Sequence, residues 1–505
     1  MRRGVTLADL VREGAGRAVA GDPGTVVRGV RHDSREIEPG DLFVALSGAQ
    51  HDGARFVRDA IARGAAAVLA SSAEGVGAPV LLADEPRRAL ALAADTVYGH
   101  PTRELEVVGV TGTNGKTTTT HLLEAALAAA GARPALVGTV AMRAPGVERT
   151  TPFTTPEADA LARFAREAID RGATHLVMEV SSHALEQHRV DAVRFRVAAL
   201  TNLTQDHLDF HGTMQAYADA KARLFRELGP AAAVVNVDDA FGMKLARELA
   251  LPLWRVSTRP DADAEVRVLR WTMDRDGIRA TVRAPVGDLE LVSPLVGAHN
   301  LENLLVALAC GLALQADPAA LLRGLATSVG APGRLERVAD PRGVAVLVDY
   351  AHTPDALARA LATLRPLTPG RLFAVFGCGG DRDRSKRPLM GEAAGRAADV
   401  VVLTSDNPRT ERPAAILDEI VPGVELAGLP RVDPGSLGAC ARGFAVVEDR
   451  RIAIGLAIGA ARSGDTVLVA GKGHEDYQIV GTEKRAFDDR VVAREAITAV
   501  SGGGA

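Results

Sequence analysis

Gly112-Thr113-Asn114-Gly115-Lys116-Thr117-Thr118 is the stretch of this 505-residue chain whose residue types point most directly to a chemistry. The apolar pair Val107 and Val108 leads into it, and a helical pattern of Leu122, Leu123, Ala126 and Leu127 follows. A strand, a Gly-rich turn and a helix N-terminus make an anion site, because backbone N–H groups and the helix dipole point at the same place. Lys116 suits the β- and γ-phosphates of a nucleotide, and Thr117 suits Mg²⁺. The strict P-loop pattern wants Gly at position 110 and finds Val110. The alternative is an ordinary βα turn. The glycines, the Lys-Thr pair and the strand–helix context together favour phosphate binding, with ATP as the ligand, and the motif alone names no reaction.

Other polar residues gather where apolar runs end. His175–Val180 reads as a buried strand that carries Glu179 and ends in Ser181-Ser182-His183. In open α/β sheets ligands collect at the carboxyl ends of strands. A buried carboxylate there needs a partner, either a metal or a nearby arginine. The run Val197–Leu200 ends in a loop with two aspartates and two histidines, Asp206, His207, Asp209 and His211, which suit a metal or phosphate. Lys221 follows on a helical pattern and by itself reads as a surface lysine. Asn300 and Asn303 share a helix face and either bind a nucleotide or cap the helix. Four later strands, Val344–Val348, Leu372–Phe376, Val400–Thr404 and Thr466–Ala470, each end in a charged or Gly-rich loop. Those loops contain Asp349 and His352, then Arg382, then Asp406-Asn407-Pro408-Arg409, then Gly471 and Glu475. Arg382 and Arg409 suit bidentate capture of a carboxylate. The glycines at 377–380 lack the G-x-G-x-x-G spacing of a dinucleotide loop.

Positioning these residues calls for α/β architecture in three domains, at about 150 residues each. Residues 1–103 read as a small N-terminal α/β domain. Its polar stretches Arg31–Arg35 and Ser47–Gly53 read equally as solvated turns or as a site for a ligand with phosphates or sugars. Residues 104–332 read as a central P-loop ATPase-type domain with a mostly parallel sheet. Alternation over Glu265–Ser293, with a turn at Asp276-Gly277, predicts an antiparallel hairpin. Residues 333–505 read as a doubly wound, Rossmann-like domain presenting one polar rim, after a break at Pro332-Gly333. A formal net charge of −4 supplies no basic field for nucleic acid or a membrane surface. Three widely spaced cysteines fit a reducing compartment, hence the cytoplasm. The sequence has neither a signal-peptide apolar core nor a run long enough to span a bilayer.

GVTGTNGKTTT, MEVSSHALEQHRV, TNLTQDHLDFHG, the lysine of YADAKARLF, HNLENLL, APGRLE, VDYAHTPDAL, FGCGGDRDRSKRPLMG, DNPRTE and AGKGHEDYQ together resemble the Mur ligase family, in order and over nearly the whole chain. The family's own loop is T-G-T-N-G-K-T, which accommodates Val110. The likeness is strongest to the branch that adds the third peptide residue of the peptidoglycan precursor. The resemblance implies an ATP-dependent amide ligase that forms an acyl phosphate on the D-glutamate γ-carboxylate of UDP-N-acetylmuramoyl-L-alanyl-D-glutamate. The amine of meso-diaminopimelate then attacks. It implies two Mg²⁺ ions held by Thr117, Glu179, His207 and Lys221, the last as a carbamate, with Lys116, Glu179, His207 and Lys221 as the catalytic set.

Carried across by motif, ATP would meet Gly112 to Thr118, with Asn300, Asn303, Arg334, Asp349 and His352. The UDP-sugar dipeptide would meet His32, Ser34, Ala49, Gln50, His51, Thr154, Thr155, Ser181, Gln187 and Arg189. The family's usual H-Q-A order appears here as Ala49-Gln50-His51. Diaminopimelate would meet Arg382, Asp406, Asn407, Pro408, Arg409, Gly471 and Glu475. In the family D-N-P-R marks diaminopimelate enzymes, its arginine taking the distal carboxylate. A monomer is expected. The competing readings are another amide ligase of the family and a non-catalytic nucleotide-binding scaffold. DNPR and GKGHED argue against the first; the presence of Lys116, Glu179, His207 and Lys221 argues against the second.

Overall fold

The structure, a computed structural model, describes residues 4–47, 52–151 and 153–502. The chain forms two compact units. One comprises Met1–Arg270, Thr281–Leu291 and Glu302–Ser328, the other Trp271–Ala280, Val292–Leu301 and Val329–Ala505.

The first unit carries two main sheets. The smaller has the order Ala18–Ala20, Val80–Leu82, Ala67–Ala70, Asp41–Val44, Gly29–Arg31, parallel except for its first strand. The expected run Val26–Val30 is broken in two, Val26–Val27 and Gly29–Arg31, and the first of these pairs with Val5–Thr6 instead. The helix Pro86–Val97 covers the sheet with Leu90 and Ala94, and the same apolar cluster takes in Ala158 and Ala162 from the helix Ala158–Asp170. Shared burial of this kind, worth about 0.8 kcal/mol per methylene, joins the N-terminal α/β segment to the ATPase-type segment in one unit.

The larger sheet centres on Glu106–Thr111, flanked in parallel by His175–Glu179 and Val197–Leu200. These strands are apolar on both faces, as parallel strands covered by helices must be. Register then aligns their carboxyl ends. Glu179 lies opposite Val110, and Leu200 opposite Thr111. The turn after Glu106–Thr111, the side chain of Glu179 and the loop from Thr201 therefore open on one edge. At the far side of this sheet the expected hairpin is three strands, Val266–Asp274, Gly277–Ala284 and Gly287–Ser293. The turn falls at Arg275-Asp276, one residue before the expected Asp276-Gly277, and a second turn at Pro285-Val286 adds the third strand.

The sheet of the second unit has the order Glu336–Val338, Ala345–Asp349, Thr466–Ala470, Leu372–Phe376, Val400–Leu403, Gly443–Val446. All of it except Glu336–Val338 is parallel. Alternate residues feed two cores. Ala374 and Phe376 pack with Leu361, Met390 and Ile420, whereas Phe373 and Val375 pack with Ile454, Ile458 and Ile497. Helices thus cover both faces, which makes the domain doubly wound. Among the described residues no helix is long and apolar enough to cross a membrane.

Candidate functional site

The turn between Glu106–Thr111 and the helix Lys116–Ala129 is built for close approach. Gly112 has φ 147°, and a Cβ there would lie 1.9 Å from Thr201 Oγ1. Thr201 Oγ1 donates to Asn114 O at 2.6 Å, Asn202 Oδ1 accepts from Asn114 N at 2.9 Å, and Thr113 N donates to Asn202 O at 2.9 Å. The neighbouring strand end therefore braces the turn. Lys116 Nζ folds back onto Gly112 O at 2.9 Å and Thr113 O at 3.0 Å. Thr118 is buried at the start of the helix. Asn303 Oδ1 accepts from Thr119 Oγ1 at 3.3 Å, so it packs on the same helix.

Glu179 is wholly buried. It accepts from Thr117 Oγ1 at 3.0 Å, Thr139 N at 2.7 Å and Thr139 Oγ1 at 3.2 Å. A threonine hydroxyl beside a carboxylate is a hard oxygen pair suited to Mg²⁺. Sequence reasoning found Thr117 and Glu179 but missed Thr139, which sits in no charged motif.

Lys221 overturns the surface-lysine reading. It lies on the helix Met214–Arg226 and is 1% exposed. Its Nζ donates to Gly112 O at 2.9 Å, the carbonyl that Lys116 also uses, and lies 4.5 Å from the Tyr217 ring centre. Burial, then the charge of Lys116, hold its amine well below the usual lysine range. Tyr217 also meets the His207 ring at 6.0 Å and the His211 ring at 5.1 Å. His207 and His211 flank His183, whose ring centre is 4.9 Å from that of His207. Burial, then His207 and His211, push His183 down to about 4. Among the described residues no three His, Cys, Asp or Glu side chains stand ready to hold a metal. The expected metal set instead divides into Thr117 with Glu179, and His207 with Tyr217 and Lys221. The unmodified lysine is engaged as a hydrogen-bond donor to Gly112 O and offers a metal no oxygen.

A second group of hydroxyls and charges lies beside Glu179. Thr155 Oγ1 donates to Glu179 O at 2.8 Å and accepts from Ser181 N at 3.1 Å. Thr139 and Thr154 share a hydroxyl contact of 3.0 Å. Arg189 donates to Thr155 O at 2.8 Å and Gln187 Oε1 at 2.6 Å, pairs with Glu157 at 2.9 Å, and lies 5.0 Å from the Phe153 ring centre. Thr154, Thr155, Ser181, Gln187 and Arg189 are thus one patch. His32 faces the helix Ala158–Asp170, with Nδ1 2.9 Å from Asp159 Oδ1. Burial pushes His32 down, but the hydrogen bond and charge of Asp159 outweigh it, and the net shift is upward. Ser34 is buried in the turn that follows, Ser34–Glu36. Ala49, Gln50 and His51 lie outside the described residues. Asp159, which orients His32, escaped the sequence reading because helical acids ordinarily face solvent; Glu157, which pairs with Arg189, stands at the N-cap of the same helix.

In the second unit Asp349 ends its strand and accepts from Leu335 N at 2.7 Å and Ala351 N at 2.8 Å. Burial raises its carboxyl, against the lowering charge of Arg334. Arg334 lies 4.9 Å from the Tyr350 ring centre, and Tyr350 meets His352 at 4.6 Å. Asn300 is buried and donates to Val296 O at 2.7 Å.

The rim loops of this unit converge as expected, with one addition. Arg409 adopts φ 52°, uncommon for a side-chain-bearing residue, and is held there by Arg409 N on Ile479 O at 3.1 Å and Gly481 N on Arg409 O at 2.7 Å. Its Nη1 donates to Gly380 O at 2.7 Å. Asn407 Nδ2 donates to Glu475 Oε2 at 3.0 Å. Gly471 has φ 116°, and a Cβ there would lie 2.5 Å from Asp406 Oδ2. Pro408, between Asn407 and Arg409, is buried. Arg382 is exposed, and its Nη1 donates to Asp381 O at 3.1 Å. The addition is Lys472, buried among Asp406, Asn407 and Glu475.

Residues 26–110 match the Mur ligase family catalytic domain, 110–311 the Mur ligase middle domain and 333–473 the Mur ligase glutamate ligase domain. A protein of Geobacter metallireducens named UDP-N-acetylmuramoyl-L-alanyl-D-glutamate–2,6-diaminopimelate ligase is 47% identical over 509 residues, covering 99% of each chain. One of the same name from Geobacter sulfurreducens is 46% identical over 98% of each. A solved structure of a ligase of that name superposes with a TM-score of 0.72 at 34% identity, covering 98% of this chain and 99% of the other. Three consecutive family domains and near-complete coverage by close relatives lead to one conclusion: the chain belongs to the Mur ligase family and has its three-domain fold.

Proposed function

We propose that this protein is an ATP-dependent ligase joining meso-2,6-diaminopimelate to the D-glutamate γ-carboxylate of UDP-N-acetylmuramoyl-L-alanyl-D-glutamate, in the cytoplasm. The observation that carries the choice of amine is Arg409, fixed in a left-handed conformation two residues beyond the Asn407 that bonds Glu475. A planar guanidinium suits the distal carboxylate of diaminopimelate, and Glu475 with Asp406 suits its distal ammonium. L-Lysine offers no carboxylate to such a group.

A carboxylate is a poor electrophile, so the γ-phosphoryl group of ATP is first moved onto it. The glycine turn Gly112–Thr118 cradles the phosphates through backbone N–H groups, and Lys116 neutralises the charge they share. Asn303 lies against the same helix, and Asn300, Arg334, Asp349 and His352 take the adenosine. Arg189, with Thr154, Thr155, Ser181 and Gln187, orients the dipeptide carboxylate. His32 and Ser34, and by family likeness Ala49 to His51, take the uridine end. The amine then attacks the acyl phosphate and phosphate leaves. Here rate comes from positioning and charge neutralisation.

Thr117 and Glu179 are the hard-oxygen pair for one Mg²⁺, and His207 with a carbamylated Lys221 for a second; such ions supply Lewis-acid neutralisation of phosphate charge. Lys221 and Lys116 donate to one carbonyl, so their ammonium forms would repel. A carbamate on Lys221 reverses that sign and supplies the oxygen donors the unmodified side chain lacks. The test is phosphate release from ATP with the UDP-muramoyl dipeptide and diaminopimelate, L-lysine or L-ornithine as amine. Release that ignores diaminopimelate and responds to L-lysine overturns the assignment.

A further inference from the structure

Lys472 is 0% exposed, two residues past the strand Thr466–Ala470. Taking an ammonium out of water costs several kcal/mol, so its partners must offset that cost. Lys472 Nζ donates to Asn407 Oδ1 at 3.0 Å and lies 3.4 Å from Glu475 Oε2 and 3.7 Å from Asp406 Oδ1. The face of the Tyr477 ring is 5.7 Å away. Asn407 Oδ1 also accepts from Ile479 N at 2.9 Å. Both lone pairs of that oxygen are therefore used, and the amide can stand only one way. Turning it over would set its NH₂ against an ammonium and a backbone N–H. The fixed orientation sends Asn407 Nδ2 to Glu475 Oε2 at 3.0 Å.

Charge adds a second consequence. In the buried and half-buried part of the rim, Asp406 and Glu475 bring two negative charges, and Lys472 and Arg409 bring two positive ones; Arg382 stands in solvent, where its charge is screened. The nearby Arg450 is committed to Asp489 through two bonds of 2.8 and 2.7 Å, both side chains fully buried, and adds no net charge. A rim of zero net charge receives a zwitterionic amino-acid end without imbalance. A bare ammonium would leave one positive charge uncompensated. Without Lys472 the rim would be net negative and would suit the bare ammonium instead.

We propose that Lys472 is a positioning residue that sets the rim's preference for a zwitterionic amino-acid end over a bare ammonium. It holds Asn407 and Glu475 in one arrangement and cancels one of the two carboxylate charges. The inference rests on the ligase reading above, with diaminopimelate as the amine.

The experiment measures amine-dependent phosphate release with meso-diaminopimelate and with L-lysine, each with ATP and the UDP-muramoyl dipeptide, in wild type, K472M, K472Q and K472M/E475Q. A wild type that ignores diaminopimelate overturns the functional reading before any variant is made. Given a responsive wild type, K472M and K472Q should each lower the kcat/KM ratio of diaminopimelate to L-lysine by about tenfold or more, since one unpaired charge near a partly buried site is worth at least that. The KM for ATP should stay within about twofold, a split that general loosening of the fold would not give. K472M/E475Q removes one charge of each sign and should return the ratio toward wild type. An unchanged ratio in both single variants overturns the inference. If the single variants melt below the assay temperature, the double variant decides: a diaminopimelate preference supports it, and a lysine preference overturns it.

Discussion

Arg409→Ala should weaken the hold on the amine substrate far more than the hold on ATP. The backbone bonds of Arg409 to Ile479 and Gly481 survive the substitution, so the loop keeps its course. What goes is a charged donor. A hydrogen bond to a charged partner contributes about 1.5–3 kcal/mol. At 1.36 kcal/mol per tenfold, the KM for diaminopimelate should rise roughly 10- to 150-fold for one such bond, and more if the contact is bidentate. The structural cost is smaller. Gly380 O loses the donor it has at 2.7 Å, but Arg409 is only half-buried, so water can replace it. A loss below about 1 kcal/mol lowers Tm by about 2–4 °C in a domain of this size. Initial rates of phosphate release, with diaminopimelate varied at saturating ATP and then the reverse, separate the two effects, and a calorimetric scan reads the third. Equal rises in both KM values, or an unchanged KM for diaminopimelate, would refute the reasoning.

Lys221→Ala should nearly abolish turnover, with partial recovery when a short-chain carboxylic acid is added; full activity without additive would remove Lys221 from the site. Glu179→Gln keeps the shape of a side chain that accepts from Thr117 and Thr139, yet should lower kcat by about a hundredfold or more; near-normal kcat in a variant of normal Tm would count against a charge role. His32→Gln should change how stability depends on pH. The folded-state pKa of His32 is raised, with Asp159, Glu157 and Asp33 facing it, so the protonated pair contributes fully below the unfolded value of about 6.5 and fades as pH climbs through the folded value. The Tm advantage of wild type over the variant should therefore be larger near pH 6 than near pH 9. An advantage that grows with pH would show the sign to be wrong.

Much of the fold was legible in the sequence because parallel strands buried on both faces leave uninterrupted apolar runs. Val197–Leu200, Leu372–Phe376 and Thr466–Ala470 were expected with these bounds and stand so. The strand Gly443–Val446 was missed. It is four residues long and begins with glycine, so local propensity is weak, and pairing with Val400–Leu403 makes it a strand. The third strand at Gly287–Ser293 was merged into a hairpin because period-two alternation continues across its turn.

By itself the sequence determined which chemistries were available. A glycine turn before a helix means phosphate. Acids, histidines and arginines just beyond apolar runs mean a ligand at the carboxyl edge of a sheet, since an apolar run must be covered and its end is where polar groups can emerge. Tertiary structure decided which of those groups act together and in what charge state. Lys221 reads as a surface residue along the helix, yet it is buried against Gly112 O, 109 positions away in sequence. Asp159 reads as a helical surface acid, yet it holds His32, 127 positions away. Lys472 reads as one member of a glycine-rich loop, yet it fixes Asn407, 65 positions away. The physical reason is common to all three. Burial and electrostatic coupling depend on distance in space, and strand register and helix packing, which no local pattern encodes, set that distance.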